Sequence, residues 1–203
     1  TRCLLRLDED IAGGMSRSAR EQSADLLVIG AGRPDKLRRW FFGDLVDGVC
    51  RTAHCPVVVV NLANRQVADL QKILVPIKDL SASAREQFEL AQRVLASTSP
   101  DAGLITLLHI VDQRFNRMDR ARIERELRRW HPIHDTGTSI QIQLEQGPGV
   151  ETMIERRSRD HDIVILRSQR RQVAGLPIPA SDRTSNLVSL LKCASMVISE
   201  PLT

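Results

Sequence analysis

Ala24-Asp-Leu-Leu-Val-Ile-Gly30 returns, 137 residues further on, as His161-Asp-Ile-Val-Ile-Leu-Arg167. Each copy is a short, wholly apolar run behind an aspartate. Such runs read as strands covered on both faces, the mark of a parallel sheet rather than of a half-solvated antiparallel one. The same offset lays Leu7 on Leu144 and Asp25 on Asp162, and a slightly larger one lays Pro56-Val-Val-Val on Ser195-Met-Val-Ile. An internal repeat of this kind fixes the architecture before any single element does.

Working outward, Cys55–Val60, Ile73–Ile77, Leu104–Val111, Asp162–Leu166 and Ser195–Ser199 read as further strands, and the alternating Ile140-Gln-Ile-Gln-Leu144 as one nearer a sheet edge. Helical spacing covers Ser81–Ala96, where Ser81 or Ser83 caps, and Arg120–Trp130, with Ile123, Leu127 and Trp130 on one face. It also covers Val150–Arg159, after Gly147-Pro148-Gly149, and Thr184–Cys193. Strands alternating with helices imply βαβ crossovers and an α/β fold.

The two copies are unequal. Thr1 to about Leu62 duplicates only the back half of the stretch running from about Gln71 to the end. It holds a strand ending at Leu7, a helix, a strand, a helix and a strand. It lacks counterparts of Ile73–Ile77 and Leu104–Val111, and a half sheet with those edges open is sticky and weakly stable. Either the missing half lies upstream or another surface completes it. The expected organisation is therefore a half-domain over 1–62, a short polar linker over 63–71 and a complete domain over 72–203. The start Thr-Arg-Cys, without an initiator Met or signal-peptide core, reads as a cut-out fragment.

Composition narrows the function. Apolar residues are 42% of the chain, enough for packed cores. The longest apolar runs fall far short of the roughly 20 residues that cross a bilayer. The net charge is +4 and the pI about 9.2, with pairs at Arg38-Arg39, Arg128-Arg129, Arg156-Arg157 and Arg170-Arg171. A basic face for anionic lipid or nucleic acid is one reading; solvated helix faces with interspersed acids are the other. Aromatics at 3% and the absence of Tyr leave no stacking platform, so nucleic acid is not an expected partner. Cys3, Cys50, Cys55 and Cys193 fit no zinc spacing and read as buried free thiols. His131 and His134 lack a cluster to complete a metal site, and His109, inside an apolar strand, reads as a hydrogen-bonded core residue. No nucleophile elbow is present, and no hydrolase chemistry is expected.

Several pieces jointly resemble the universal stress protein family. They are Ile73-Leu-Val-Pro-Ile-Lys-Asp79, Gly147-Pro148-Gly149 running to Ile154, Ala24-Asp-Leu-Leu-Val-Ile-Gly30 and Cys55-Pro-Val-Val-Val-Val60. The resemblance covers nearly the whole chain. It implies parallel-sheet, Rossmann-like three-layer units of the adenine-nucleotide α-hydrolase-like type, in tandem, the first incomplete. In ATP-binding members a G-x2-G-x9-G-[S/T] loop lets backbone N–H groups approach phosphates at a helix N-terminus. Laid on that pattern the first copy offers Gly30, Arg33, Gly43 and Asp44, a degenerate loop in which two of four positions depart. Arg33 could pair with a phosphate, whereas a carboxylate at Asp44 repels one. ATP or AMP is the ligand the resemblance implies; a structural turn that binds nothing is the other reading.

The second copy departs further. Arg167 replaces the first glycine, and the longer Ser168–Ser181 loop holds Pro177 and Pro179. Ser181, Thr184 and Ser185 read as ordinary helix caps. Lys78 stands where the family has its nucleoside-recognising acid, with Asp79 one step later.

A narrower resemblance rests on Leu5-Arg-Leu-Asp-Glu-Asp10 leading to Ile11-Ala12, Trp40-Phe-Phe-Gly43, His54-Cys55-Pro56 and Ile73–Leu80. These phrases look like the cytosolic tail of bacterial, especially cyanobacterial-type, sodium/proton antiporters. That resemblance implies a non-catalytic regulatory or sensor module, homodimeric, at the cytosolic face of the membrane, with a transporter domain upstream in the same polypeptide. The alternative is a soluble cytoplasmic tandem stress protein that binds ATP or AMP.

Overall fold

A computed structural model describes residues 3–31, 43–63, 65–99, 103–111, 117–130, 138–147, 149–169, 171–173, 176–178 and 182–201. In chain order the elements are α1 (Ile11–Glu21), β1 (Leu27–Gly30), α2 (Gly43–Thr52), β2 (Val57–Asn61) and a 3-10 turn (Val67–Asp69). Then come β3 (Lys72–Ile77), α3 (Ala82–Thr98), β4 (Gly103–Val111), α4 (Arg117–Arg129), β5 (Thr138–Gln146) and α5 (Val150–Ser158). The last are β6 (Ile163–Gln169), β7 (Arg171–Val173), β8 (Leu176–Ile178), α6 (Asp182–Leu190) and β9 (Ala194–Glu200). The alternation is the α/β pattern expected from the apolar runs.

The chain forms two compact units. One comprises Thr1–Asn61, Arg167–Ser189 and Met196–Thr203, the other Leu62–Leu166 and Leu190–Ser195. In the second unit the strand order is β6-β3-β4-β5. β3 pairs in parallel with β4 from Lys72↔Leu104 to Ile77↔His109 and with β6 at Ile73↔Ile163 and Leu74↔Val164. Consecutive residues Ile73, Leu74 and Val75, and Ile163, Val164 and Ile165, are all fully buried, which happens only when both faces of a sheet are covered. Helix α3 supplies Phe88, Ala91 and Leu95 to that core. Its Gln87 is buried too, and its side-chain amide donates to the carbonyls of Pro76 (3.1 Å) and Ile165 (2.7 Å). Proline brings no N–H to β3, and Gln87 ties β3 to β6 beside it.

β5 is the edge strand its alternation announced: it ends the order, paired in parallel with β4 alone from Gly103↔Thr138 to Val111↔Gln146. Ser81 caps α3, its hydroxyl accepting from the Ala84 N–H at 3.3 Å. Gly149 opens α5 with φ of 82°, a left-handed conformation that favours glycine.

In the first unit the order is β1-β2-β9, with β1 and β2 parallel from Leu27↔Val57 to Gly30↔Val60. Helices α1 and α2 close on the pair through Ala12, Ile29, Val46, Val49, Val57 and Val59. Gly48 permits the approach, since a Cβ there would stand 2.8 Å from the Cβ of Ala12. Asp10 caps α1 by accepting from the N–H groups of Ala12 (3.1 Å) and Gly13 (2.8 Å).

Two readings are corrected. The stretch ending at Leu7 is not a strand: residues 3–7 carry no strand assignment, and Leu5 and Leu7 are almost fully exposed. Its counterpart β5 is a strand because β4 pairs with it, and among the described residues no such neighbour stands beside 3–7. Instead Asp8 fastens the segment to α1, accepting from Arg17 and Arg6, while Arg6 also reaches Glu21 at 2.8 Å. These guanidiniums, Arg17 foremost, hold the Asp8 carboxyl well below the usual range. The second correction concerns the Ser168–Ser181 loop, which contains an antiparallel ribbon, β7 with β8, in register from Arg171↔Ile178 to Val173↔Leu176. Pro177 is tolerated there because a two-stranded ribbon is all edge.

Candidate functional site

The degenerate loop begins at the C-terminal end of β1 and finishes at the N-terminus of α2. Ile29 and Ala31 pack in one cluster with Val46, so the end of the strand and the first turns of the helix meet. Gly30 closes β1, and the Ala31 N–H donates to the Val60 carbonyl at 2.8 Å. A Cβ at Gly30 would meet nothing within 4 Å, so the described packing does not itself demand glycine there. Gly43 is the first residue of α2 and Asp44 the second. Arg33 lies outside the described residues, as does the rest of 32–42.

The second copy is occupied by its own side chains. Arg167, in the first-glycine position, pairs with Glu200 at 2.9 Å. Asp79, beside the nucleoside-acid position, turns to the start of α3 and accepts from the Ser81 N–H at 3.1 Å. Hydrogen bonds from the Ser81 side chain and backbone hold its carboxyl below the usual range.

His109 is the buried, hydrogen-bonded residue expected from its strand: its Nδ1 lies 3.0 Å from the Ile77 carbonyl, to which it must donate. His161 was not singled out by sequence and has a comparable role. Its Nδ1 donates to the Arg157 carbonyl (2.7 Å), so Nε2 accepts from the Thr106 hydroxyl (2.8 Å). Burial pushes its pKa down and keeps it neutral. A histidine directly before a repeated Asp-apolar run was the available signal, but Thr106 is 55 positions away. His131 and His134 lie outside the described residues. Among the described residues no group of three or more His, Cys, Asp or Glu could hold a metal.

Cys55 and Cys193 are buried thiols, the latter pushed up in pKa by burial; Cys50 is half-buried, and Cys3 is exposed, contrary to expectation. Cys3 belongs to the uncovered segment that also bares Leu5 and Leu7. Of the basic pairs, Arg38-Arg39 and Arg170 lie outside the described residues, and members of the other two reach acids. Arg156 and Arg157 both reach Glu145, Arg129 reaches Glu126, and Arg159 reaches Glu155. That is the arrangement of ordinary solvated helix faces.

Residues 4–61 match the model of the universal stress protein family. Those residues carry universal stress protein sequence. Over 172 residues it is 33% identical to the Na(+)/H(+) antiporter NhaS5 of Synechocystis sp., a match spanning 84% of this chain and 24% of that protein. The chain therefore spans about a quarter of the length of the curated relative it matches. A putative universal stress protein from Pseudomonas aeruginosa has the same fold, with a TM-score of 0.65 at 14% identity over 95% of this chain and 69% of its own. One from Archaeoglobus fulgidus gives 0.60 at 16% identity over 89% and 64%. At such identities the structural likeness speaks for the universal stress protein fold alone.

Proposed function

We propose that this universal stress protein chain is a non-catalytic regulatory module of a cation/proton antiporter. It is organised as a half-domain (1–62), a linker (63–71) and a full domain (72–203). The observation that carries the reading is the 33% identity to a Na(+)/H(+) antiporter across 84% of the chain. No described helix is long and apolar enough to cross a membrane, in keeping with a segment that accompanies a transporter domain rather than forms the pore. In this reading the module lies at the cytosolic face, pairs as a homodimer and follows the transporter domain in the same polypeptide. It acts by stabilising one transporter state over another, which requires only a difference in contact energy between the two.

The loop from Gly30 through Arg33 to Gly43 and Asp44 is the place where a nucleotide such as ATP or AMP would bias that balance. Helix α2 offers its N-terminus there, and Gly30 leaves open space. Arg167 and Asp79 in the second copy are engaged elsewhere, which concentrates this role in the first.

The test is exchange activity in everted membrane vesicles, comparing the intact transporter with one truncated before this module. Retained exchange with a cation or pH dependence moved by roughly 5-fold or more supports regulation; an unchanged profile contradicts it. Nucleotide sensing is checked by calorimetric titration of ATP and AMP: binding lost in Gly43→Trp supports the loop, and no heat at millimolar ligand removes it.

A further inference from the structure

We infer that the open side of β1 is the dock for a strand–helix–strand segment related to Gln71–Val111, supplied by the polypeptide preceding Thr1, and that Asp25 is its anchor. The second unit shows what the site looks like when filled. There Asp162 stands at the head of β6 and β3 lies alongside. The Asp162 carboxylate accepts from the backbone N–H groups of Gln71 (3.1 Å) and Lys72 (2.8 Å) and from Arg65 (2.8 Å). Its own N–H donates to the Lys72 carbonyl at 2.8 Å. One aspartate thereby fixes where the neighbouring strand begins.

Asp25 occupies the same place in the repeat. It is exposed, and among the described residues no donor meets it. The residues behind it show the vacancy of a neighbour. Leu26 is 43% and Val28 60% exposed, whereas their counterparts Ile163 and Ile165 are at 0%. β1 ends the strand order. The N–H groups of Leu27 and Ala31 bond to Pro56 and Val60 on the β2 side, so alternation turns those of Val28 and Gly30 to the open edge. Beside that edge lies a cleft of about 450 Å³ with Leu4, Ile11, Met15, Ala19 and Leu27 in its wall. Leu5 and Leu7 extend the bare surface along residues 3–7, the counterpart of β5, which in the second unit takes its pairing from β4.

One incoming segment satisfies all of these features. Its first strand pairs with β1 and seats its leading N–H groups on Asp25. Its helix fills the cleft. Its second strand draws residues 3–7 into the sheet. Chain length allows it, because the 203 residues span only 24% of the antiporter relative. The inference holds whether or not a transporter lies further upstream.

The test is amide hydrogen exchange on the 203-residue chain and on the polypeptide that includes the upstream sequence. Docking slows exchange at Val28, Leu5 and Leu7 by about a hundredfold or more in the longer polypeptide, as an edge amide becomes a core amide. Asp25→Ala, an exposed change that leaves the 203-residue chain as it was, removes about tenfold or more of that protection. Equal rates at Val28 in the two polypeptides overturn the inference. So does protection in the shorter chain that grows with its concentration, since a second copy is then the occupant.

Discussion

Leu26-Leu-Val-Ile29 and Ile163-Val-Ile-Leu166 are almost interchangeable as sequence, yet one stands at an open edge and the other in the middle of a core. Both follow an aspartate, and both pair on one side with a parallel strand. Among the described residues, only the second has a strand on its other side. Burial is thus a property of the pair, not of the run: apolar residues stabilise a fold by the area a neighbour takes from water. The aspartates teach the same lesson in polar terms, Asp162 holding two backbone N–H groups and an arginine while Asp25 holds none of the described donors.

The comparison can be broken most sharply by truncation. Ile163→Ala should cost about 3–4 kcal/mol, the loss for a buried aliphatic side chain with its cavity, whereas Leu26→Ala in the 203-residue chain should cost under about 1 kcal/mol. Denaturant unfolding of the two variants checks this, and equal losses would mean the edge is already covered. Next in size, Asp162→Ala should cost about 2 kcal/mol by stranding the N–H groups of Gln71 and Lys72, while Asp25→Ala should stay within about 0.5 kcal/mol.

A smaller effect depends on pH. His161 has its pKa lowered by burial, so the unfolded chain binds the proton more readily. Its contribution is complete above the ordinary histidine pKa of about 6.5 and is lost as pH falls from there toward the folded-state value. Asp160 and Asp162 oppose the lowering and Lys72 adds to it. The stability difference between the parent chain and His161→Gln, followed by unfolding from pH 7.5 down to 5.0, should narrow; a constant difference contradicts the assignment. Smallest of all, Arg85→Ala should change stability by about 0.5 kcal/mol or less, since its pairing with Glu89 is exposed on α3.

Much of the fold was legible because its strands are short apolar runs and its helices carry clear 3.6-residue spacing. β3, β4, β6 and β9 sit where those runs fall, and the alternation of Ile140–Leu144 marked an edge. The strand expected to end at Leu7 failed for lack of a pairing partner, which local sequence does not encode. The β7–β8 ribbon was missed because prolines at 177 and 179 signal a loop, and a two-residue connection between three-residue strands has no periodicity to read. At the candidate site, Gly30 and Gly43 could be placed from the motif, and the structure puts them at a strand end and a helix start. The engagement of Asp79 with Ser81 and of Arg167 with Glu200 was hidden, because hydrogen-bond partners are chosen by folded geometry.

The central claim is that the two copies differ in what lies beside them rather than in what they are. Amide exchange resolved residue by residue on the 203-residue chain tests it directly. The account predicts that the amides of Ile163–Ile165 exchange only on global unfolding, while Val28 exchanges orders of magnitude faster through its open edge. Matching protection at Val28 and Ile165, independent of protein concentration, would contradict it.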